Sequence, residues 1–337
     1  MRLVKNLCRI IVGIVFIYSG FVKGIDPLGS DYKFTDYFNA FGMGWMNATT
    51  LFFSFALSLA EFLIGIALLF NLWVSRMAWG ALLFMAFFTP LTLVLALTNP
   101  VSDCGCFGDA MILTNWQTFW KNIILLLLAI MIFVYRKEYK SSLSFMGQFS
   151  FLSLAGAGML CLSIYCYRHL PVLDFRPYAV GKNITEGMRL PEGAEPDQYE
   201  VTLKYKNKQT GEVRSFTEEN YPWQDTLNWE YESSSERLVK KGYITPIHDL
   251  VIEHPTLGNI TEEILEDDNH TILAVAYNLN QSATQYQPAI NRLAEYAREK
   301  GIRFYGLTSS SERDIEAYKK RNHVPYEFCT ADEIQLK

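Results

Sequence analysis

The chain has 337 residues, half of them hydrophobic, with 30 Lys+Arg against 35 Asp+Glu and a net charge of −5. Those averages conceal two unlike parts: residues 1–167 are apolar and carry ten basic and seven acidic residues, whereas 168–337 carry twenty and twenty-eight. The split excludes one soluble globule and predicts a membrane part followed by an acidic soluble part; that acidity also argues against nucleic-acid binding, which needs a basic surface.

Apolar runs long enough to cross a bilayer, roughly 20 residues each, occur at about 5–24, 51–73, 76–98, 117–135 and 148–167. The first has no small-x-small cleavage site and is followed by Lys23, so it reads as a retained span rather than a signal peptide. Arg2, Lys5 and Arg9 precede it, Arg76 lies between the second and third runs, and Arg136, Lys137 and Lys140 follow the fourth. With five spans all of these fall on one side, predicted to be cytoplasmic. The loops 25–50 and 99–116 and everything after 167 then face outwards, which in a bacterial inner membrane is the periplasm.

In the first outer loop, Phe34, Tyr37, Phe38 and Phe41 recur at helical spacing opposite Lys33 and Asp36, predicting a short helix over the outer mouth of the bundle. Glu61 lies in the middle of "LFFSFALSLAEFLIGIALLFNLW". A carboxyl at that depth costs a few kcal/mol unless it is neutral, paired or facing a cavity. It reads either as a structural pairing with a polar residue of a neighbouring span or as a ligand or proton site. Pro90 in "FFTPLTLV" predicts a kink in the third span, with a carbonyl freed near the same depth.

The second outer loop holds "VSDCGCFGDA", residues 101–110. Cys104 and Cys106 are flanked by Asp103 and Asp109, with Gly105 between them to permit a tight bend. A disulfide over one residue closes a small strained ring, and strain makes such a bond labile, the behaviour of a redox pair. The neighbouring carboxylates oppose this by raising thiol pKa values. A structural staple and a soft-metal thiolate site are the other readings of the spacing, and the metal site lacks a nearby His. Trp116 and Trp120, just beyond, suit a membrane–water interface. Cys8, Cys161 and Cys166 belong to the spans, and Cys329 is a lone thiol in the soluble part.

"RIIVGIVFIYSGFVKGIDP", "AEFLIGIALL" and "DCGCFGD" together resemble the DoxX family of small membrane proteins, and the cysteine motif is similar to that of the related MauE family; the arrangement resembles DoxX proteins of Bacteroidota. The resemblance covers about 1–135. It implies a four-helix bundle over 1–140, with a fifth, tethering span at 141–168. It further implies redox roles for Cys104 and Cys106, together with a periplasmic or envelope protein partner; Glu61 is the intramembrane polar site, and Lys23, Asp26, Asp103 and Asp109 are nearby supporting residues. A resemblance in architecture to quinone-linked thiol oxidoreductases implies quinone as the cofactor.

After a Pro- and Gly-rich connector, "YEVTLKYKNKQTGEVRSFT" alternates around a turn and reads as a hairpin, with "YPWQDTLNWEYES" adding a strand, so 169–244 is connector plus a small β module at 195–240. Residues 245–337 read as α/β. The buried strand "TILAVAYNL" leads to a helix with Pro288 in its first turn and Ile290, Leu293, Ala294 and Ala297 on one face. A second strand, "IRFYGLTSS", then leads to a helix capped by Ser311. The order resembles the thioredoxin-like fold of peroxiredoxin and TlpA-type proteins. "YNLNQSATQY", where those proteins carry CxxC, has no cysteine, and the ending "CTADEIQLK" reads as a C-terminal truncation of that fold.

Three functions follow as expectations. The first is a membrane thiol–disulfide redox protein. The second is a non-catalytic scaffold that binds a partner through the degenerate soluble domain. The third is a small-molecule or lipid-binding bundle built around Glu61.

Overall fold

Five helices in the computed structural model are long and apolar enough to span a membrane: Leu3–Ile25, Gly44–Leu69, Val74–Thr98, Asn115–Val134 and Phe145–Arg168. The structure describes residues 2–336 except 102, 192, 196–197, 218–219, 223–224, 226, 241, 244, 248–249 and 333–335. It divides into two units, 1–180 and 181–337. The chain is a multi-pass membrane protein whose helical region is followed by a soluble α/β region.

The first unit contains α1 (Arg2–Ile25), α2 (Pro27–Ala40), α3 (Thr50–Leu69), α4 (Val74–Thr98), α5 (Asn115–Val134) and α6 (Phe145–Arg168). Phe16 of α1, Leu68 of α3, Ala81 of α4 and Ala129 of α5 belong to one buried core. Helix α6 stands outside it, with Leu152 packed on Ala67 and Leu72. The outward surface is apolar, as lipid requires: Phe52, Leu83, Phe87, Leu97 and Leu127 are all exposed.

Glycines set the spacing of α1 and α3. A Cβ added to Gly65 would lie 2.5 Å from the backbone nitrogen of Ile17 and 2.8 Å from the carbonyl of Gly13. One on Gly20 would lie 2.5 Å from the nitrogen of Phe62 and 2.7 Å from the carbonyl of Ser58. Small residues let helix backbones approach where lipid supplies no hydrophobic drive between them. At the far end of this pair the guanidinium of Arg9 donates to the carbonyls of Leu68 and Leu69, closing the C-terminus of α3. Lys5 pairs with Glu138 at 2.7 Å, so the start of α1 and the segment after α5 share that end of the bundle.

Helix α4 holds Pro90 within it, with Thr89 and Thr92 buried beside it. Two details depart from the sequence reading. The second span stops at Leu69, not at 73, because Asn71 and Trp73 adopt left-handed backbone (φ 58° and 39°) in the turn to α4. In the soluble unit Leu293 is exposed, so the buried face of its helix is narrower than the spacing suggests.

The second unit begins with the short helix α7 (Ile184–Met188). Strands β1 (Gln198–Asn207), β2 (Val213–Thr217) and β3 (Trp229–Lys240) then form an antiparallel sheet in the order β2-β1-β3. A second sheet contains β4 (Glu253–His254), β5 (Gly258–Asn259), β6 (Thr271–Val275), β7 (Arg303–Thr308) and β8 (Glu327–Thr330) in the order β5-β4-β8-β7-β6. Strands β6, β7 and β8 are parallel. Helix α8 (Thr261–Leu265) precedes β6, and α9 (Gln287–Glu299) and α10 (Glu312–Asn322) make the two crossovers. Pro288 lies in the first turn of α9, and the Ser311 side chain caps α10 by accepting from Asp314 N. Neighbours on β8 face opposite ways, as strand alternation demands. Phe328 packs with Ala294 and Tyr318, and Cys329 with Ile252 and Ile264.

Two outcomes follow. Gly65→Leu must push α1 and α3 apart, at a cost of about 1–3 kcal/mol or more, and should lower the unfolding midpoint in detergent. Gly158→Leu, where a Cβ meets nothing within 4 Å, should not. Equal midpoints for the two variants would refute the close-packing account. Cys329 is fully buried, and burial followed by the charge of Glu327 pushes its thiol up to about 11. Maleimide at pH 8 should therefore label Cys329 only after denaturation, as read by peptide mass spectrometry.

Candidate functional site

The loop joining α4 to α5 is fastened at both ends before the cysteines are considered. Thr114 and Gln117 form a reciprocal capping box at the start of α5. Asn115 donates to the side chain of Asn99 at 2.8 Å and to the carbonyl of Val101 at 2.9 Å. Gly105 takes φ +61° and Gly108 φ +50°, a left-handed pair that turns the chain inward over the bundle.

Cys104 and Cys106 are joined by a disulfide, with their Cα atoms 5.5 Å apart. Each half of this unit is fixed to a different helix through its carbonyl. The Tyr37 hydroxyl of α2 donates to the Cys104 carbonyl at 2.6 Å, and Ser19 Oγ of α1 lies 2.8 Å from the Cys106 carbonyl. Burial, with the charge of Asp103 second, raises the Tyr37 phenol above its ordinary range, so it stays a neutral donor. The carboxylate of Asp103 accepts from Lys33 Nζ at 2.7 Å and from Gly105 N at 2.8 Å. The Lys33 ammonium thus sits directly against the carboxylate next to Cys104.

Below the disulfide lies the second part of the site. Glu61 is 5 % exposed, and its Oε2 sits 2.5 Å from Lys23 Nζ and 2.8 Å from Ser19 Oγ. Ser19 and Lys23 are one turn apart on α1, which places both over the same point of α3. Ser19 thus lies between Glu61 and Cys106 and has two acceptors within reach of its single proton. A cavity of about 80 Å³ connects the two parts. Its wall includes Cys104, Cys106, Lys23, Glu61, Lys121 and Phe88. Across it, Asn122 of α5 donates to Thr92 of α4 at 3.2 Å. Lys121 Nζ lies 4.3 Å from the centre of the Phe107 ring, and among the described residues it forms no ion pair.

Of the residues singled out from the sequence, Cys104, Cys106, Glu61 and Lys23 meet at this cavity. Asp103 stands behind it, holding Lys33. Asp26 and Asp109 do not reach it. Asp26 accepts from Gly29 N at 3.0 Å as the N-cap of α2, and both line a smaller neighbouring hollow of about 30 Å³. Sequence reasoning missed Ser19 and Lys121 and gave Tyr37 only a packing role. Among the described residues no group of three or more His, Cys, Asp or Glu side chains is arranged to hold a metal ion.

Residues 1–135 match the family model of methylamine utilisation protein MauE, which covers the first four spans and the cysteine loop and stops before α6. Residues 199–241 match a domain of unknown function (DUF8463), over the three-stranded sheet. Neither a curated protein nor a solved structure matches the chain.

The buried pair predicts an asymmetric pattern of stabilities. Removing one member strands the other in an apolar interior, at about 3–5 kcal/mol. Lys23→Met and Glu61→Leu should each be strongly destabilising, and the double variant should recover most of the loss in a double-mutant cycle. Additive single losses would show that the two side chains do not interact.

Proposed function

We propose that this MauE-family membrane domain is a thiol–disulfide redox protein of the bacterial inner membrane. Its N-terminus is cytoplasmic, and Cys104 and Cys106 face the periplasm. The observation that carries the reading is the cavity wall: the disulfide, a buried Lys–Glu pair and the Lys121 ammonium, which forms no ion pair among the described residues, share one space. A structural staple needs none of these neighbours. The orientation is supported by the basic residues: Arg9, Arg76 and Arg136 lie at the bundle end opposite the cysteine loop, the pattern of a cytoplasmic face.

The chain's own residues account for a two-electron exchange. A dithiol on a periplasmic or envelope partner is oxidised to a disulfide while Cys104–Cys106 opens to two thiols, so two electrons and two protons pass to the loop. Tyr37 and Ser19 hold the loop backbone through the change, because both bonds are to carbonyls rather than to sulfur. Lys23 and Ser19 together fix the position of the Glu61 carboxylate.

The resemblance to quinone-linked bundles names quinone as the acceptor class, and the wall chemistry fits one. Phe84, Phe88 and Leu91 offer apolar and aromatic surface for a ring, and Lys121 and Asn122 offer donors for carbonyl oxygens. A quinone held there would supply a two-electron, two-proton acceptor.

The soluble unit fits a supporting role. Its parallel β6-α9-β7-α10-β8 run supports the thioredoxin-like reading, while the segment between β6 and α9 has no cysteine for exchange. Partner binding is the role left to it, and a wholly non-catalytic scaffold is the second reading that this missing dithiol favours.

Thiol trapping in native membranes separates the two. The redox reading expects a Cys104–Cys106 disulfide that is reduced by a mild dithiol and restored when a soluble quinone is added. Its potential should lie above the roughly −300 mV of structural disulfides. Cys104→Ser or Cys106→Ser should abolish the cycle and leave the bundle folded. A pair that stays oxidised throughout, or variants that unfold, would establish a staple.

A further inference from the structure

We propose that the two cysteines have fixed and different roles: Cys106 is the sulfur that an incoming thiolate attacks, and Cys104 is the sulfur it displaces. The inference rests on the exchange reading above and assigns its direction.

Access distinguishes them first. Cys104 is buried at 8 % exposure, and α2 lies over it through the Tyr37 bond, whereas Cys106 is half-buried. Of the two residues, Cys106 is the more open to an incoming thiolate. The second distinction concerns where negative charge is stabilised. Cys106 N–H points at Cys104 Sγ, 3.3 Å away, and among the described residues no donor faces the sulfur of Cys106. A backbone donor aimed at sulfur stabilises thiolate over thiol and makes that sulfur the better leaving group. The third is electrostatic. Asp103, next to Cys104, would oppose a thiolate there, but Lys33 at 2.7 Å and Gly105 N–H at 2.8 Å already balance its charge.

The steps balance. The partner's thiolate forms a bond to Cys106 Sγ as the Cys104–Cys106 bond breaks, and the electron pair of that bond leaves on Cys104 as thiolate. The partner's second thiol then attacks its own sulfur in the mixed disulfide, and Cys106 departs as the second thiolate. The partner has lost two electrons and two protons. The loop has gained both electrons, and the protons return to its two sulfurs.

Attack by a simple thiol on the oxidised full-length protein in lipid discs tests the assignment. Reduced glutathione is added briefly at pH 8, the reaction is quenched with excess N-ethylmaleimide, and fragmentation across Gly105 locates each label. Glutathione on Cys106 with maleimide on Cys104 should exceed the reverse by at least about tenfold. Equal labelling, or glutathione mainly on Cys104, overturns the assignment and leaves exchange intact. An unreduced disulfide with no adduct on either cysteine refutes the exchange reading, and the assignment with it.

Discussion

A charge inside an apolar bundle has to be met by another charge, and the meeting of Lys23 with Glu61 fixes much of what surrounds it. Each side chain alone would cost several kcal/mol at that depth. Their 2.5 Å contact requires α1 and α3 to be close and in one particular register. Gly13, Gly20 and Gly65 provide that closeness by bringing backbone against backbone. With the register set, Ser19 falls one turn from Lys23 and under the carbonyl of Cys106, so the pair that satisfies the membrane also locates the loop.

This dependence explains how much was legible in the sequence. Glu61 stood out because a lone acid in an apolar run has few explanations, and Lys23 was near enough to be noticed. Lys121 obeys the same logic but lies one turn into its span, where a lysine reads as one that snorkels to the interface. Its place over Phe107 depends on how the loop folds back, which no local pattern encodes. In the sequence Tyr37 is one of four aromatics on a covering helix. That helix is present, but a hydroxyl bonded to a carbonyl 67 residues away is a tertiary fact. Asp26 and Asp109 were close in sequence and not in the cavity, because Asp26 is committed to capping α2 and Asp109 lies on the outer side of the turn.

In the soluble unit the strand and helix patterns were plain, and the pairing was not. Strand β8, four residues long, has too few positions to alternate visibly, yet it lies between β7 and the β4–β5 hairpin and joins the parallel and antiparallel parts of the sheet. Cys329 was a lone thiol in the sequence. Its position on the inner face of β8 turns it into a small apolar filler beside Ile252 and Ile264.

Anchoring the loop by its carbonyls has a consequence for the reduced state. The bonds from Tyr37 and Ser19, the Asn115 clamp and the capping box of α5 involve no sulfur. Opening the disulfide would leave those bonds in place, with the two thiols still held on either side of Gly105. In a free peptide, re-forming so small a ring would require the chain to find a rare conformation each time. Here that search would be largely avoided, and each thiol would meet the other at the high effective molarity of a positioned intramolecular pair.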